Sequence, residues 1–305
     1  MSMCRDTGVE SQSGAWKAGV APVAVVMISL NEGHNMDAVC QNLCGWAEQV
    51  FLVDSFSKDE TVDIALRYGV HVVQRPFRSY GDQWNFALSN LPISASWTMK
   101  LDPDERLSDE LKKNLMSIFD QAAAYAISVK IRLWFMGRPL PVNMGLVRAW
   151  PTGFCSFSDV DVNEHAIVRA SILHVPGFLE HHDSPDLEHW LEKQNRYSTA
   201  EAVVAYRKAR LAFTPRLLGT AFERRMLIKK YFRYIPFRFF LFFLYNWILK
   251  GSWKSGRVGY MWARLRSDHM RFIEYKCREI ELTGTLPIKR SYGSGKPDPR
   301  VPQYD

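Results

Sequence analysis

Two periods of apolar and polar residues organise the first half of the chain. Val23 to Leu30 (VAVVMISL) is an unbroken, β-branched apolar run, which predicts a strand buried on both faces. Asn35 to Trp46 then places Met36, Val39, Cys40, Leu43 and Trp46 at helical spacing, one apolar face of a helix. Gln49 to Val53 predicts a second strand. Ser57 with Glu60 three residues on reads as a capping box opening a helix to about Tyr68. His71 to Gln74 is a third strand, Tyr80 to Asn90 a helix and Trp97 to Leu101 a fourth strand. Ser108 is placed to cap a helix running to about Ala123. This alternation predicts an α/β domain with a mostly parallel sheet, helices on both faces and the strand carboxyl ends on one edge.

After Tyr125 the pattern changes. Ala126 to Leu133, a turn at Gly137-Arg138-Pro139, and Leu146 to Trp150 read as a hairpin-like insertion, and Pro185 to Tyr206 as a helix. Residues 1–20 are polar and aperiodic, a flexible leader, and 291–305 form a Gly/Pro tail. The expected division is therefore leader 1–20, catalytic domain 21–205, basic helical region 206–290 and tail 291–305.

Charge changes the picture at the C-terminal end. The 305 residues carry a formal +7, but Arg207 to Arg278 holds 18 Lys/Arg against 3 acidic residues, leaving the remainder at −8. Such a segment calls for an anionic partner. The run YFRYIPFRFFLFFLYNW from Tyr231 to Trp247 is too apolar for a phosphate-tracking arm, so no nucleic acid is expected. Its longest uncharged stretch, Phe239 to Leu249, falls short of the roughly 20 residues a spanning helix needs. An interfacial segment on an anionic membrane surface fits better, making the protein peripheral or monotopic. Five scattered cysteines suit neither a disulfide framework nor a zinc site, and reduced thiols in a cytoplasmic compartment are expected.

The chemistry gathers at the strand ends. Ser29-Leu30-Asn31-Glu32, Asp54 to Thr61 and Asp102-Pro103-Asp104-Glu105 all fall on the same predicted sheet edge. Converging carboxylates repel unless a cation joins them, and a divalent metal held by oxygen ligands is the simplest one. No G-x-G-x-x-G or P-loop follows the first strand, so a diphosphate here would be held mainly by metal.

These strings, with Gln83-x-Asn85-x-Ala87 and Val162-Asn163-Glu164-His165, resemble a family 2 glycosyltransferase of the nucleotide-sugar-binding GT-A fold. Within that family the sequence is similar to bacterial enzymes of lipopolysaccharide-core and exopolysaccharide synthesis, over roughly Val23 to Ala202. The resemblance implies an inverting transfer, with Mg2+ or Mn2+, from a nucleotide sugar, UDP being the first expectation. It implies a lipid-linked saccharide acceptor and a place at the cytoplasmic face of the inner membrane. By the same resemblance, Asn31, Glu32, Asp54, Ser55, Asn85 and Asp102 serve the donor nucleotide. Asp104, with Asp102 and one of the His181-His182 pair, His182 being the expected one, serves the metal. Glu164 is the first choice of base, with Asp161 and Asp159 near enough to compete. Trp84 and Trp190 read as core aromatics rather than sugar platforms. The competing readings are a nucleotidyltransferase, which would normally show a Gly/Arg/Lys-rich phosphate signature near the first strand, and a non-catalytic binding module for membrane or nucleic acid, which has no need of the acidic pair.

Overall fold

The computed structural model describes residues 15–119, 125–158, 166–207, 224, 227 and 231–288, without the side chains of 142–144. The contacts divide the chain into two units: Met1–Trp134 with Asn143–Asp183, and Phe135–Val142 with Ser184–Asp305.

The first unit is built on β1 (Ala21–Ser29), β2 (Ala47–Asp54), β3 (His71–Gln74) and β4 (Trp97–Lys100), joined by α1 (Gly33–Leu43), α2 (Thr61–Arg67) and α3 (Tyr80–Asn90). β5 (Glu105–Leu107), α4 (Asp109–Phe119), β6 (Tyr125–Phe135), β7 (Arg138–Pro151), β8 (Cys155–Phe157), β9 (Ala166–Val168) and β10 (Ser171–His181) follow. The large sheet runs β3-β2-β1-β4-β7-β6-β10-β5. Its first four strands are parallel, as are β6 and β10, whereas β4–β7 and β10–β5 are antiparallel.

The apolar run of β1 explains the layering. Val23, Val25 and Met27 face one side with Met36, Val39, Cys40 and Leu43 of α1, all fully buried. Ala24 and Val26 face the other side with Trp84 and Ala87 of α3. Each such aliphatic side chain taken from water contributes about 1.5–3 kcal/mol, so a central strand needs apolar residues at every position. Trp84 and Trp190 are both buried, as read from the sequence.

Two local expectations change and one holds. The capping box at Ser57 does not form: the helix begins at Thr61, and Ser57 bonds Asp54 and Asn31 instead. Ser108 does cap α4 through Leu111 N, at 3.3 Å. The proposed Gly137-Arg138-Pro139 turn is a two-residue turn at Met136 and Gly137, both with positive φ, the geometry that matches strand twist. β10 lies beyond the readable pattern. Gly177 within it has φ +102, and a Cβ there would lie 2.6 Å from the Leu111 backbone, so only glycine lets β10 pass α4.

The second unit contains α5 (Leu187–Tyr206), α6 (Arg238–Leu244) and α7 (Gly256–Thr283). Asp186 caps α5 by accepting from His189 N. Trp190, Gln194, Ser198, Ala202 and Val203 are its buried positions, and α7 is its main neighbour. Lys276 of α7 donates to Ser198 and Thr199 at 2.8 Å each. Hence α5 groups with the C-terminal helices in the second unit. The leader to residue 14 and the tail lie outside the described residues. Among the described residues no helix is long and apolar enough to cross a membrane.

Candidate active site

The register of the parallel strands brings the three polar loops together. Ser29 pairs with Asp54 across β1 and β2, and Val26 with Lys100 across β1 and β4. Leu101 N still donates to Val26 O, so the chain leaves the sheet at Asp102.

Asp54 organises the first two loops. Fully buried, it accepts from Ser29 Oγ at 2.9 Å, Ser57 N at 2.8 Å and Gln74 Nε2 at 2.9 Å. Asn31, with φ 58, accepts from Lys58 N at 2.9 Å while its own N–H donates to Ser57 Oγ at 2.8 Å. Glu32 N donates to Thr61 Oγ1, and the Glu32 carboxylate accepts from Asn35 Nδ2. Ser55 accepts from Gln83 Nε2 at 3.2 Å and is nearly buried. Asn85 is used structurally: its amide takes Phe157 N at 2.8 Å and gives to Phe157 O at 3.0 Å, tying α3 to β8.

The third loop is held by two arginines that the sequence reading did not single out. Arg106 donates to Pro103 O and Glu105 O within the loop and to Asn35 O on α1. Arg148, buried on β7, donates to Glu105 Oε1 at 2.5 Å and Asp102 Oδ2 at 3.1 Å. Burial lifts the Glu105 carboxyl to about 7 despite that guanidinium. Asp102, about one-third exposed, is also pushed up by burial, but the Arg148 and Lys100 charges outweigh this and hold it below the usual range. A single arginine inside the apolar run Leu146 to Trp150 was the available signal, since a buried cation implies a buried partner.

Beside this loop stands the end of β10. His181 Nε2 lies 3.1 Å from Asp104 Oδ2 and 3.8 Å from Asp183 Oδ1. One ligand atom from each of Asp104, His181 and Asp183 falls within 4.8 Å of the others. Burial works against charge on His181, yet Asp104 overrides it and raises the imidazole to about 9. The cluster therefore attracts positive charge. Two carboxylates and an imidazole suit Mn2+ or Mg2+, the first accepting nitrogen more readily.

Asp104 stands in this cluster with His181, one of the two histidines expected there, and with Asp183; His182 and Asp102 are not among its members. Successive residues at a strand end point to opposite sides. The His182 ring stacks on Trp134, with centroids 5.0 Å apart, and burial and Arg106 hold its pKa down. Asp102 is engaged by Arg148. Arg75, directly after β3, pairs with Asp82 at 2.7 Å. Glu164, Asp161 and Asp159 lie outside the described residues.

A polar, acidic, cation-attracting edge at the carboxyl ends of a parallel sheet is where ligands bind in open α/β folds. Residues 24–154 match the family model described as glycosyl transferase family 2. That part of the chain is therefore similar to family 2 glycosyltransferases. An uncharacterized glycosyltransferase of Rickettsia prowazekii is 25% identical over 230 residues, covering 69% of this chain and 78% of that protein. Another, of Rickettsia bellii, is 28% identical over 197 residues, covering 59% of this chain and 66% of its own length. Among solved structures, a mannosyltransferase from Pyrobaculum calidifontis in complex with GDP-Man and Mn2+ aligns with TM-score 0.46 and 12% identity, covering 89% of this chain and 91% of that one. Glucosyl-3-phosphoglycerate synthase from Mycobacterium tuberculosis, in complex with Mn2+, UDP and glucosyl-3-phosphoglycerate, aligns with TM-score 0.29 and 19% identity, covering 37% and 44%.

Proposed function

We propose that the protein transfers a sugar, with inversion, from a nucleoside-diphosphate donor to a lipid-linked saccharide acceptor in bacterial cell-surface polysaccharide or lipopolysaccharide synthesis. UDP is the first nucleotide to test, and the cytoplasmic face of the inner membrane the place of action. The observation that carries the reading is the Asp104–His181–Asp183 cluster at the edge where the strand-end loops meet. Asn31, Glu32 and the Asp54-bound loop offer the polar contacts a base and ribose need, and Asp104, His181 and Asp183 would hold Mn2+ or Mg2+. Such an ion supplies neutralisation of the charge that builds on a leaving diphosphate. This chain's own part is to fix these groups before the donor arrives: Arg106 and Arg148 hold the acidic loop, and Asp54 holds the loop after β2. Glu164, or Asp161 in its place, would take the acceptor proton.

The test is nucleotide release from UDP-, GDP- and other nucleotide sugars with Mn2+ or Mg2+, on the wild type and Asp104→Ala. Asp104→Ala is expected to abolish metal-dependent release while keeping the wild-type melting temperature within a few degrees, because its carboxylate sits at the sheet edge rather than in the apolar core. Full, metal-dependent activity in Asp104→Ala would refute the assignment.

A further inference from the structure

Cation-bearing apolar surface lies in the second unit. Between residues 231 and 264 there are six Lys/Arg and no acidic residue. α6 reads RFFLFFL, apolar on every side, yet only one side is covered. Phe239 lies beneath Arg271 of α7, with the guanidinium 5.0 Å from the ring centroid, and its carbonyl accepts from Ser267 Oγ at 2.6 Å. Phe243 meets Tyr260 edge-on, with centroids 5.5 Å apart. The opposite side is open: Phe240 is 59% exposed, Leu241 48% and, one turn beyond the helix, Leu249 78%. Trp253, in the next turn, is 53% exposed, and an apolar recess of about 280 Å3 is lined by Trp247, Ile248 and Trp253. The same segment carries Arg233 over the Tyr234 ring, Lys250 over Tyr245 and Lys254 over Trp253, none with a carboxylate at salt-bridge distance among the described residues.

We infer that the open side of residues 231–254 is a docking face for an anionic lipid bilayer, with Phe240, Leu241, Leu249 and Trp253 entering the headgroup–acyl boundary and Arg233, Lys250 and Lys254 contacting headgroup phosphates. Charge complementarity selects this occupant. A soluble protein partner would accept the apolar side chains but gives no reason for cations free of acidic neighbours. A bilayer of anionic lipids engages both at once, and two signals together are what stable peripheral attachment requires. The face does not depend on the catalytic reading; its purpose, bringing the enzyme to a lipid-linked acceptor, rests on that reading.

The covered and open sides decide which substitutions are informative. Phe239 and Phe243 pack inward, so replacing them tests folding. Phe240→Ser with Leu241→Ser and Leu249→Ser tests only the open side, and Arg233→Gln with Lys250→Gln and Lys254→Gln tests the charge. The full chain is sedimented with vesicles of phosphatidylcholine alone or with phosphatidylglycerol, at low and high salt. The wild type is expected to pellet with the anionic vesicles. The charge variant is expected to lose on the order of 100-fold in partitioning at low salt, at about fivefold per basic residue. The apolar variant is expected to lose about 10-fold or more at both salt concentrations, because apolar burial is not screened. Both should keep the wild-type melting temperature and nucleotide release without vesicles, so failure of docking and failure of the catalytic reading are told apart. Should a variant not fold, brominated acyl chains in anionic vesicles provide the second measurement on the wild type: they should quench the fluorescence that Trp253→Phe removes. Wild type that stays in the supernatant beside anionic vesicles, equal binding to neutral vesicles, an unquenched Trp253, or a dimer that the apolar variant splits and vesicles do not compete with would overturn the inference.

Discussion

Arg148 is the buried cation on which the acidic loop depends, and Arg148→Met tests how the site is held together. Methionine keeps much of the length and apolar bulk but removes the guanidinium that binds Glu105 and Asp102. Glu105 is 1% exposed and has no other cation at salt-bridge distance among the described residues, whereas Asp102 reaches solvent. The loss therefore falls on Glu105. Breaking a buried pair by removing one partner costs about 3–5 kcal/mol, because a charge is left stranded in a medium that solvates it poorly. The pH dependence gives a second handle. Glu105 is already raised to about 7, so in the wild type its stabilising contribution is fully present below 4.5 and is lost as pH rises through 7. Without Arg148 its pKa climbs further, and that loss continues above pH 7. The penalty for Arg148→Met should thus be larger at pH 8 than at pH 5.5. Urea denaturation at the two pH values measures it, read at constant slope so that the midpoint reports stability. Adding Glu105→Gln removes the stranded charge and should recover about half of the loss or more at pH 8. A penalty under about 1 kcal/mol, or one that is the same at both pH values and unaffected by Glu105→Gln, would refute this account of the loop.

Three further outcomes are expected. His181→Ala should weaken Mn2+-dependent nucleotide release by about 10-fold or more, while His182→Ala should leave its metal dependence unchanged; metal titrations of the two variants decide between them. Glu164→Gln should lower turnover about 100-fold or more with donor binding nearly unchanged, and the same phenotype in Asp161→Asn instead would move the base to that residue in single-turnover assays. Burial, reinforced by Arg266, lowers His269 from 6.5 to about 4, so its contribution to stability is intact above 6.5 and is lost as pH falls toward 4. That amounts to about 3 kcal/mol, and thermal melts between pH 7 and 4.5 should show the wild type losing more than His269→Gln.

The local pattern determined the parts of this protein. β1 to β4 and the helices between them were legible because a strand buried on both faces must be continuously apolar and a helix on a sheet must show one apolar face. The acidic strings were legible as a site because parallel strands necessarily end on one edge. Asp54 and Asn85 kept their places in those strings, but only the structure revealed that Asp54 binds the loop after β2 and Asn85 the backbone of β8. The completion of the cluster was decided by tertiary structure alone. His181 reaches Asp104 from 77 residues away because β10 returns between β6 and β5, and Gly177 permits that passage. Which of two adjacent histidines faces the acid is a matter of strand register, and register is fixed by pairing between distant segments. The same holds for the aromatic segment. Its composition marks it as basic and aromatic, but only packing against α7 separates Phe239 and Phe243, turned inward, from Phe240 and Leu241, left to the solvent, because a helix that is apolar all round carries no sequence signal for its covered side.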